Sequence, residues 1–271
     1  MENLYSENPR EDYTEENPKT GLSAFWLKII AVTGMIMQHT ALSMQGVFNF
    51  ETEVILQIAG GFTMPIMTFL LVEGFRATSN VHKYMNRLAI FGLISIIPHL
   101  LGLGSGLNVM FSLLVSLYLL NHRKKHGNTA RFWLVFITMC FAMSFYDWGF
   151  IGPITALVCY LIKNETAKRI VTPLVFVLGI FIHSAVLGSF FHILTGISIM
   201  DGGTGAGAFF PIGCLLVIPL LLLYKGKRGK PAKWFFYVIY PLHLMVLGII
   251  SLVIGTNVIL SIIREITFYL G

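Results

Sequence analysis

Residues 27–39 read LKIIAVTGMIMQH, an apolar run with Lys28 near one end and His39 at the other. A helix needs about 20 mostly apolar residues to cross the hydrocarbon core of a bilayer, and the run extends to 22–45, long enough to do so. On such a helix eleven positions make close to three turns, so Lys28 and His39 share nearly one face, about 16 Å apart along the axis. The bland reading has Lys28 snorkelling to the headgroups and His39 hydrogen-bonded between helices. An ionisable group inside a membrane span is nevertheless a functional hypothesis by default. Two of them on one face suggest a ligand with an anionic end at the surface and a reactive end in mid-membrane.

The rest of the chain repeats the pattern of that first run. Its 271 residues are 55% hydrophobic and 12% charged, with a mean hydropathy of +0.75. A soluble domain carries about 25% charged residues. Apolar spans are expected at 22–45, 54–75, 86–103, 107–120, 131–146, 149–162, 170–191, 207–224 and 234–254. The runs are continuous and do not alternate, which excludes a β-barrel. The expected fold is all-α: a polytopic integral membrane bundle of about 9–10 transmembrane helices, its tenth member or an interfacial helix being NVILSIIREITFYL at 257–270. Several spans are short, and no internal repeat is visible, which weighs against inverted transporter halves.

Residues 1–20 form a separate acidic segment with six carboxylates, Arg10 and Lys19, and almost no aliphatic side chains. This is the composition of a disordered cytoplasmic tail, leaving 21–271 as one membrane domain. Removing the tail's six acids and two bases from the chain's thirteen and nineteen leaves seven against seventeen, a net charge of +10. Those cations cluster in alternate connections: Arg76/Lys83/Arg87, Arg123/Lys124/Lys125/Arg131, Lys163/Lys168/Arg169 and Lys225–Lys233. The connections between them carry Glu51, Glu53, Asp147 and Asp201 instead. By the positive-inside rule the basic loops and the N-terminus face the cytoplasm of a multi-pass plasma-membrane protein. Topology alone accounts for such charge, and no nucleic-acid partner is implied.

His99, His183 and His243 also lie in or beside apolar runs, whereas His122 and His126 fall in a basic loop expected to be solvated. Neither HExxH nor CxxC spacing occurs, and Cys140, Cys159 and Cys214 sit inside apolar runs as small hydrophobes, so no metal or disulfide is expected. GLGSG at 102–106 reads as a turn, not as a nucleophile motif.

Three blocks, GGFTMPIMTFLLVEGFRATSNVHKYMNRLAIFGLISIIPH (60–99), YDWGFIGPITALVCYL (146–161) and KWFFYVIYPLHLMVL (233–247), together with the first helix ending in MQH, resemble the TraX family. That family is named for the enzyme that N-acetylates F pilin. The first helix and the Tyr240-x-x-His243 element are also similar to the wider transmembrane acyltransferases, in which acyl-CoA binds from the cytoplasm. The resemblance implies a catalytic His39, with Asp147, Tyr240 and His243 in the same centre. It places Lys28, Glu73, Arg76, Tyr84 and Arg87 at the cofactor. It implies acetyl-CoA as acyl donor and, as acceptor, a pilin-like or peptide amine or a glycan or lipid hydroxyl. Two positions depart from the family pattern: Gln38 replaces the usual Asp before the histidine, and Ile96 stands where Glu is frequent, so the group that orients His39 is not evident.

Acyl transfer suits these residues physically. Arg and Lys at the inner surface match the phosphates of coenzyme A, and an imidazole with a pKa near about 6.5 is suited to act as general base. The rival readings are a transporter with buried histidines and a non-catalytic membrane component of a secretion or conjugation system. Oligomeric state is not indicated.

Overall fold

The computed structural model describes residues 21–104, 108–144, 148–195 and 205–256, with side chains left out of 187–195. Its helices are α1 Ala24–Ser43, α2 Phe50–Gly60, α3 Thr63–Ala77, α4 Val81–Ile94, α5 Ile96–Leu103, α6 Val109–His126, α7 Ala130–Met143, α8 Ile151–Leu161, α9 Glu165–Thr195, α10 Phe210–Leu222 and α11 Lys233–Ile254. No strand occurs among the described residues beyond one isolated bridge between Leu22 and Tyr224. The protein is an all-α membrane bundle. Ala24–Ser43, Phe50–Ala77, Glu165–Val186 and Lys233–Ile254 are each long and apolar enough to cross a bilayer, and α4 with α5 makes a fifth if the bent pair is one span. The stretch 257–270 and Asp147 lie outside the described residues.

Two expected spans are interrupted, the first where another helix packs against it and the second at a proline. The 54–75 span becomes α2 and α3, interrupted at Gly61 and Phe62. There the α2 and α10 backbones touch: a Cβ on Gly213 would fall 1.8 Å from the Ile58 carbonyl oxygen, and one on Gly61 2.4 Å from that of Phe210. Small residues allow such close approach between membrane helices. The 86–103 span bends by 49° between α4 and α5. Pro98 lacks the N–H that the Ile94 carbonyl needs and its ring crowds that carbonyl, which ends a straight helix. Ser95 at the bend turns its hydroxyl back to donate to the Phe91 carbonyl at 2.6 Å.

α3 is the centre of the bundle. Ten of its fifteen residues are buried, including Met64, Ile66, Phe69 and Val72, and it packs on α1, α6, α8, α9 and α10. The bundle exterior is apolar in turn, with Leu134 68%, Phe141 69% and Val253 82% exposed. An outward apolar face of this kind belongs against lipid.

The basic connections gather at one end. Residues 21–25 run beside 223–228, joined by Leu22 N–H to Leu223 O, Lys225 N–H to Leu22 O, Ala24 N–H to Lys227 O and Phe25 N–H to Arg228 O. Arg76, in the last turn of α3, donates to the carbonyl oxygens of Tyr160 (2.8 Å) and Ile162 (3.3 Å) where α8 ends. Beside it the fully buried Lys168 ammonium lies 2.6 Å from Glu73 and 2.7 Å from Glu165, fastening α3 to α9. Lys124 of α6 lies over the Phe75 ring. At the opposite end, Ser43 donates to the Gly102 carbonyl and Thr256 to that of Ser43. The three cysteines are buried and free, so they can be replaced to give a background for labelling. In that background a cysteine at Val47, 51% exposed at the far end, is expected to react with an impermeant maleimide on intact cells, and one at Lys227 only after lysis. The reverse pattern would invert the orientation.

His122 differs from the expectation of a solvated loop residue. α6 continues to His126, and α7 folds Phe132 back beside it, so His122 is buried, with its ring 4.3 Å from that of His126 and 6.2 Å from that of Phe132.

Candidate functional site

α1 and α11 run side by side and in the same direction, so their matching faces meet at two levels. Near the basic end the Lys28 ammonium lies 5.4 Å from the centre of the Phe236 ring. Further along, His39 Nδ1 is 2.8 Å from His243 Nε2, and His243 Nδ1 is 2.9 Å from the Ile239 carbonyl oxygen. Both imidazoles are buried. Their planes differ by 11° with centroids 5.1 Å apart, which equals the N···N distance plus a ring radius at either end. The rings therefore lie edge to edge in one plane rather than face to face. Tyr240, one turn before His243, is buried with its ring edge-on to it at 5.6 Å.

These distances settle the tautomers of the neutral pair. A carbonyl oxygen only accepts, so His243 Nδ1 carries a hydrogen and its Nε2 is the acceptor. His39 Nδ1 must then donate, which leaves the lone pair of His39 on Nε2. The polar partner of His39 is therefore His243 on α11. Gln38 is turned away toward α2, where a Cβ on Gly60 would lie 2.5 Å from its own Cβ. His99 of α5 is also buried near this level, α5 being packed on α11, whereas His183 contacts the Ser144 carbonyl at 3.2 Å and the Phe150 ring in a separate place. Among the described residues no group of three His, Cys, Asp or Glu side chains could hold a metal ion.

At the basic end a cavity of about 620 Å³ opens between α1, α3, α4, α6, α11 and the 223–232 connection. Lys28, Arg87, Arg228, Lys230 and Lys233 line it, with aromatic walls from Phe25, Tyr84, Tyr224, Phe236 and Tyr237. Among the described residues Glu73 is the single carboxylate in the lining, and Lys168 already holds it. Arg87 lies over the rings of Tyr84 (5.6 Å) and Tyr237 (6.0 Å), a cation–π arrangement that holds its guanidinium in the lining. On α3 and α6 the lining reaches Met67 and Met110 and does not include the histidine pair.

Of the residues singled out in the sequence, Lys28, Glu73, Tyr84 and Arg87 line this one cavity, and His39, Tyr240 and His243 come together beyond it. Arg76 does not join them. Its guanidinium is taken up by the α8 carbonyls and by Glu165, outside the lining. Arg228, Lys230 and Lys233 were legible only as topology signals, since loop cations serve orientation whether or not they bind anything. Phe236 and Tyr237 sit in the quoted 233–247 block, but nothing in an aromatic-rich membrane helix marks which rings face inward.

The comparisons with known proteins bear on the same blocks. The probable fimbrial assembly protein FimC, serogroup H1, of Dichelobacter nodosus is 28% identical to this chain over an alignment covering 83% of it and 94% of the relative. No solved structure matches the chain. The family model described as TraX protein matches residues 23–251, which takes in α1 to α10, nearly all of α11, the cavity and the histidine pair, and the chain belongs to the TraX family.

Proposed function

We propose that the protein is a membrane acyltransferase that takes an acetyl group from acetyl-CoA at its basic end and passes it to an acceptor at the level of the histidine pair or beyond. The observation that carries this reading is the alignment of the cationic cavity and His39 along one α1–α11 seam. Lys28 and His39 stand about 16 Å apart along α1, a span suited to a ligand with phosphates at one end and a thioester on a long arm.

Each part then has a chemical task. Lys28, Arg87, Arg228, Lys230 and Lys233 would bind the phosphates by charge-assisted hydrogen bonds. His39 Nε2 would accept the proton of the acceptor amine or hydroxyl as it attacks the thioester carbonyl, and the thiolate would leave. The imidazolium so formed keeps its Nδ1–H donating to His243 Nε2, so the ring does not rotate while charged. The resemblance to a fimbrial assembly protein supports a pilin-like or peptide acceptor over a glycan or lipid one.

Purified protein is expected to be stabilised by acetyl-CoA by about 2.7 kcal/mol at a hundredfold excess over Kd. Lys28→Gln with Arg87→Gln should weaken the effect, as should added salt, whereas Arg76→Gln should leave the affinity nearly unchanged. Thermal unfolding in detergent measures all three. Stabilisation that is absent, or indifferent to the cavity pair, would favour a transporter or a non-catalytic assembly component.

A further inference from the structure

We propose that the end of α6 and the start of α7 form a second anion site, which takes the phosphate of an anionic phospholipid whose acyl chains lie along the exposed apolar face of α7. None of its residues lines the cationic cavity. Arg123, Lys125 and His126 come from the last turn of α6 and Arg131 from the first turn of α7, whereas Lys124 turns away to Phe75. Charge of that sign alone suits the C-terminal dipole of α6 and a cytoplasmic loop. Two features go beyond it. His122 is only 8% exposed, stacked with Tyr118 at 5.9 Å and Phe132 at 6.2 Å, and its buried Nε2 has no hydrogen-bond partner. Arg123 lies 5.2 Å from the centre of the Phe132 ring, and its Nη1 is likewise buried and unpartnered. Among the described residues no carboxylate pairs with any of these side chains, the ion pairs being those of Glu73 and Glu165 with Arg76 and Lys168. Burial first, and then the nearby His126, Arg131 and Lys125, lower the His122 pKa, as expected of a ring crowded by positive charge.

Buried polar atoms without partners are uncommon in native proteins and call for an ion or a water. Here the surroundings select an anion, and guanidinium groups bind phosphate through paired charge-assisted hydrogen bonds. The face below the site selects a lipid as its source. Arg131, Leu134 and Phe141 stand at i, i+3 and i+10, on one stripe of α7 that runs from the basic end into the bilayer. Leu134, Ile137 and Phe141 are each more than half exposed. Trp133, partly exposed and donating its Nε1–H to Asn128 at 2.9 Å, marks the interfacial level where a headgroup lies. A phosphate held at that level has its acyl chains beside the stripe. α7 packs chiefly on α6 and on Leu157 of α8, so a phosphate shared by Arg123 and Arg131 fastens it further to α6. None of this depends on the acyltransferase reading.

The test uses the full chain in detergent, with dioctanoyl phosphatidylglycerol as probe and dioctanoyl phosphatidylcholine and inorganic phosphate beside it. Thermal unfolding is expected to show stabilisation by the anionic lipid, much less by the zwitterionic one and little by phosphate. Equal effects of the two lipids, or of phosphate and the anionic lipid, overturn the proposal. Arg123→Gln with Arg131→Gln should weaken binding of phosphatidylglycerol by about 5–30-fold, and Lys124→Gln with Lys163→Gln, an equal change of charge on exposed side chains, by less than ~2-fold. Losses that are equal in the two pairs, or absent from the first, overturn the site. A second measurement needs no variant. Phosphatidylglycerol carrying a diazirine in its acyl chain should label the wild-type chain between Leu134 and Phe141 ahead of the exposed faces of α9 and α11. Labelling spread evenly over the three helices overturns the proposal.

Discussion

His39→Ala is expected to abolish acetyl transfer while leaving expression, monodispersity and acetyl-CoA affinity nearly unchanged. The imidazole is buried 11 positions beyond Lys28, where bulk water cannot replace it as proton acceptor, and general acid–base catalysis contributes about 10²–10⁴-fold in rate. The affinity survives because the cavity lining does not include His39. His82→Ala, at an exposed position in the first turn of α4, is the appropriate control, His122 being buried. In the acyltransferase reading His243 positions His39. Its removal leaves the His39 Nδ1–H without its acceptor, a loss of ~1–3 kcal/mol, or about 5–150-fold in kcat. KM for acetyl-CoA should hold, and His243→Gln, which can still accept, should recover part of the rate, an outcome that mere loss of packing would not produce. Transfer of label from acetyl-CoA in native membranes measures all of these. Wild-type turnover by His39→Ala would make it a packing residue.

Glu73→Gln combined with Glu165→Gln is expected to lower stability by about 3–5 kcal/mol, because it leaves the Lys168 ammonium buried without a counter-charge. Lys168 has no side-chain exposure, whereas Glu73 and Glu165 are 24% and 42% exposed. That asymmetry sets the order of the variants. Either single substitution leaves one carboxylate within 3 Å and should cost much less. Lys168→Met returns two partly exposed carboxylates to water and should also be mild, and adding it to the double variant should restore most of the lost stability. Additive losses through this series, read as thermal midpoints in detergent, would show that the three charges do not form one clamp.

The clamp also shows where reading the chain alone reaches its end. Glu73, Glu165 and Lys168 are visible as charges in basic connections, and their alternation with Glu51, Glu53, Asp147 and Asp201 orients the chain. Nothing in their spacing tells that Glu73 and Lys168, 95 residues apart, meet at 2.6 Å. Arg76 and Arg87 illustrate the same boundary. Both are cations of one quoted block, yet one is consumed by the α8 carbonyls and the other lies in the cavity, because α3 and α4 diverge after the turn at 78–80.

Composition and apolar run length determined the all-α membrane architecture, because hydrocarbon leaves the backbone no partner but its own helix. Residue periodicity determined that Lys28 and His39 share a face, since the pitch of a helix is local and nearly invariant. The breaks at Gly61 and Ser95 were not read from the sequence, although Pro98 is a local cause of the second. Only the tertiary structure decided which face that was, and that His243 rather than a neighbour of His39 orients it. A hydrogen bond between residues 204 positions apart depends on which helices pack together. In a bundle whose helices are mostly apolar, hydrophobicity alone does not choose the partners; backbone contact at glycines such as Gly61 and Gly213 contributes, and it can be recognised only once both helices are in place.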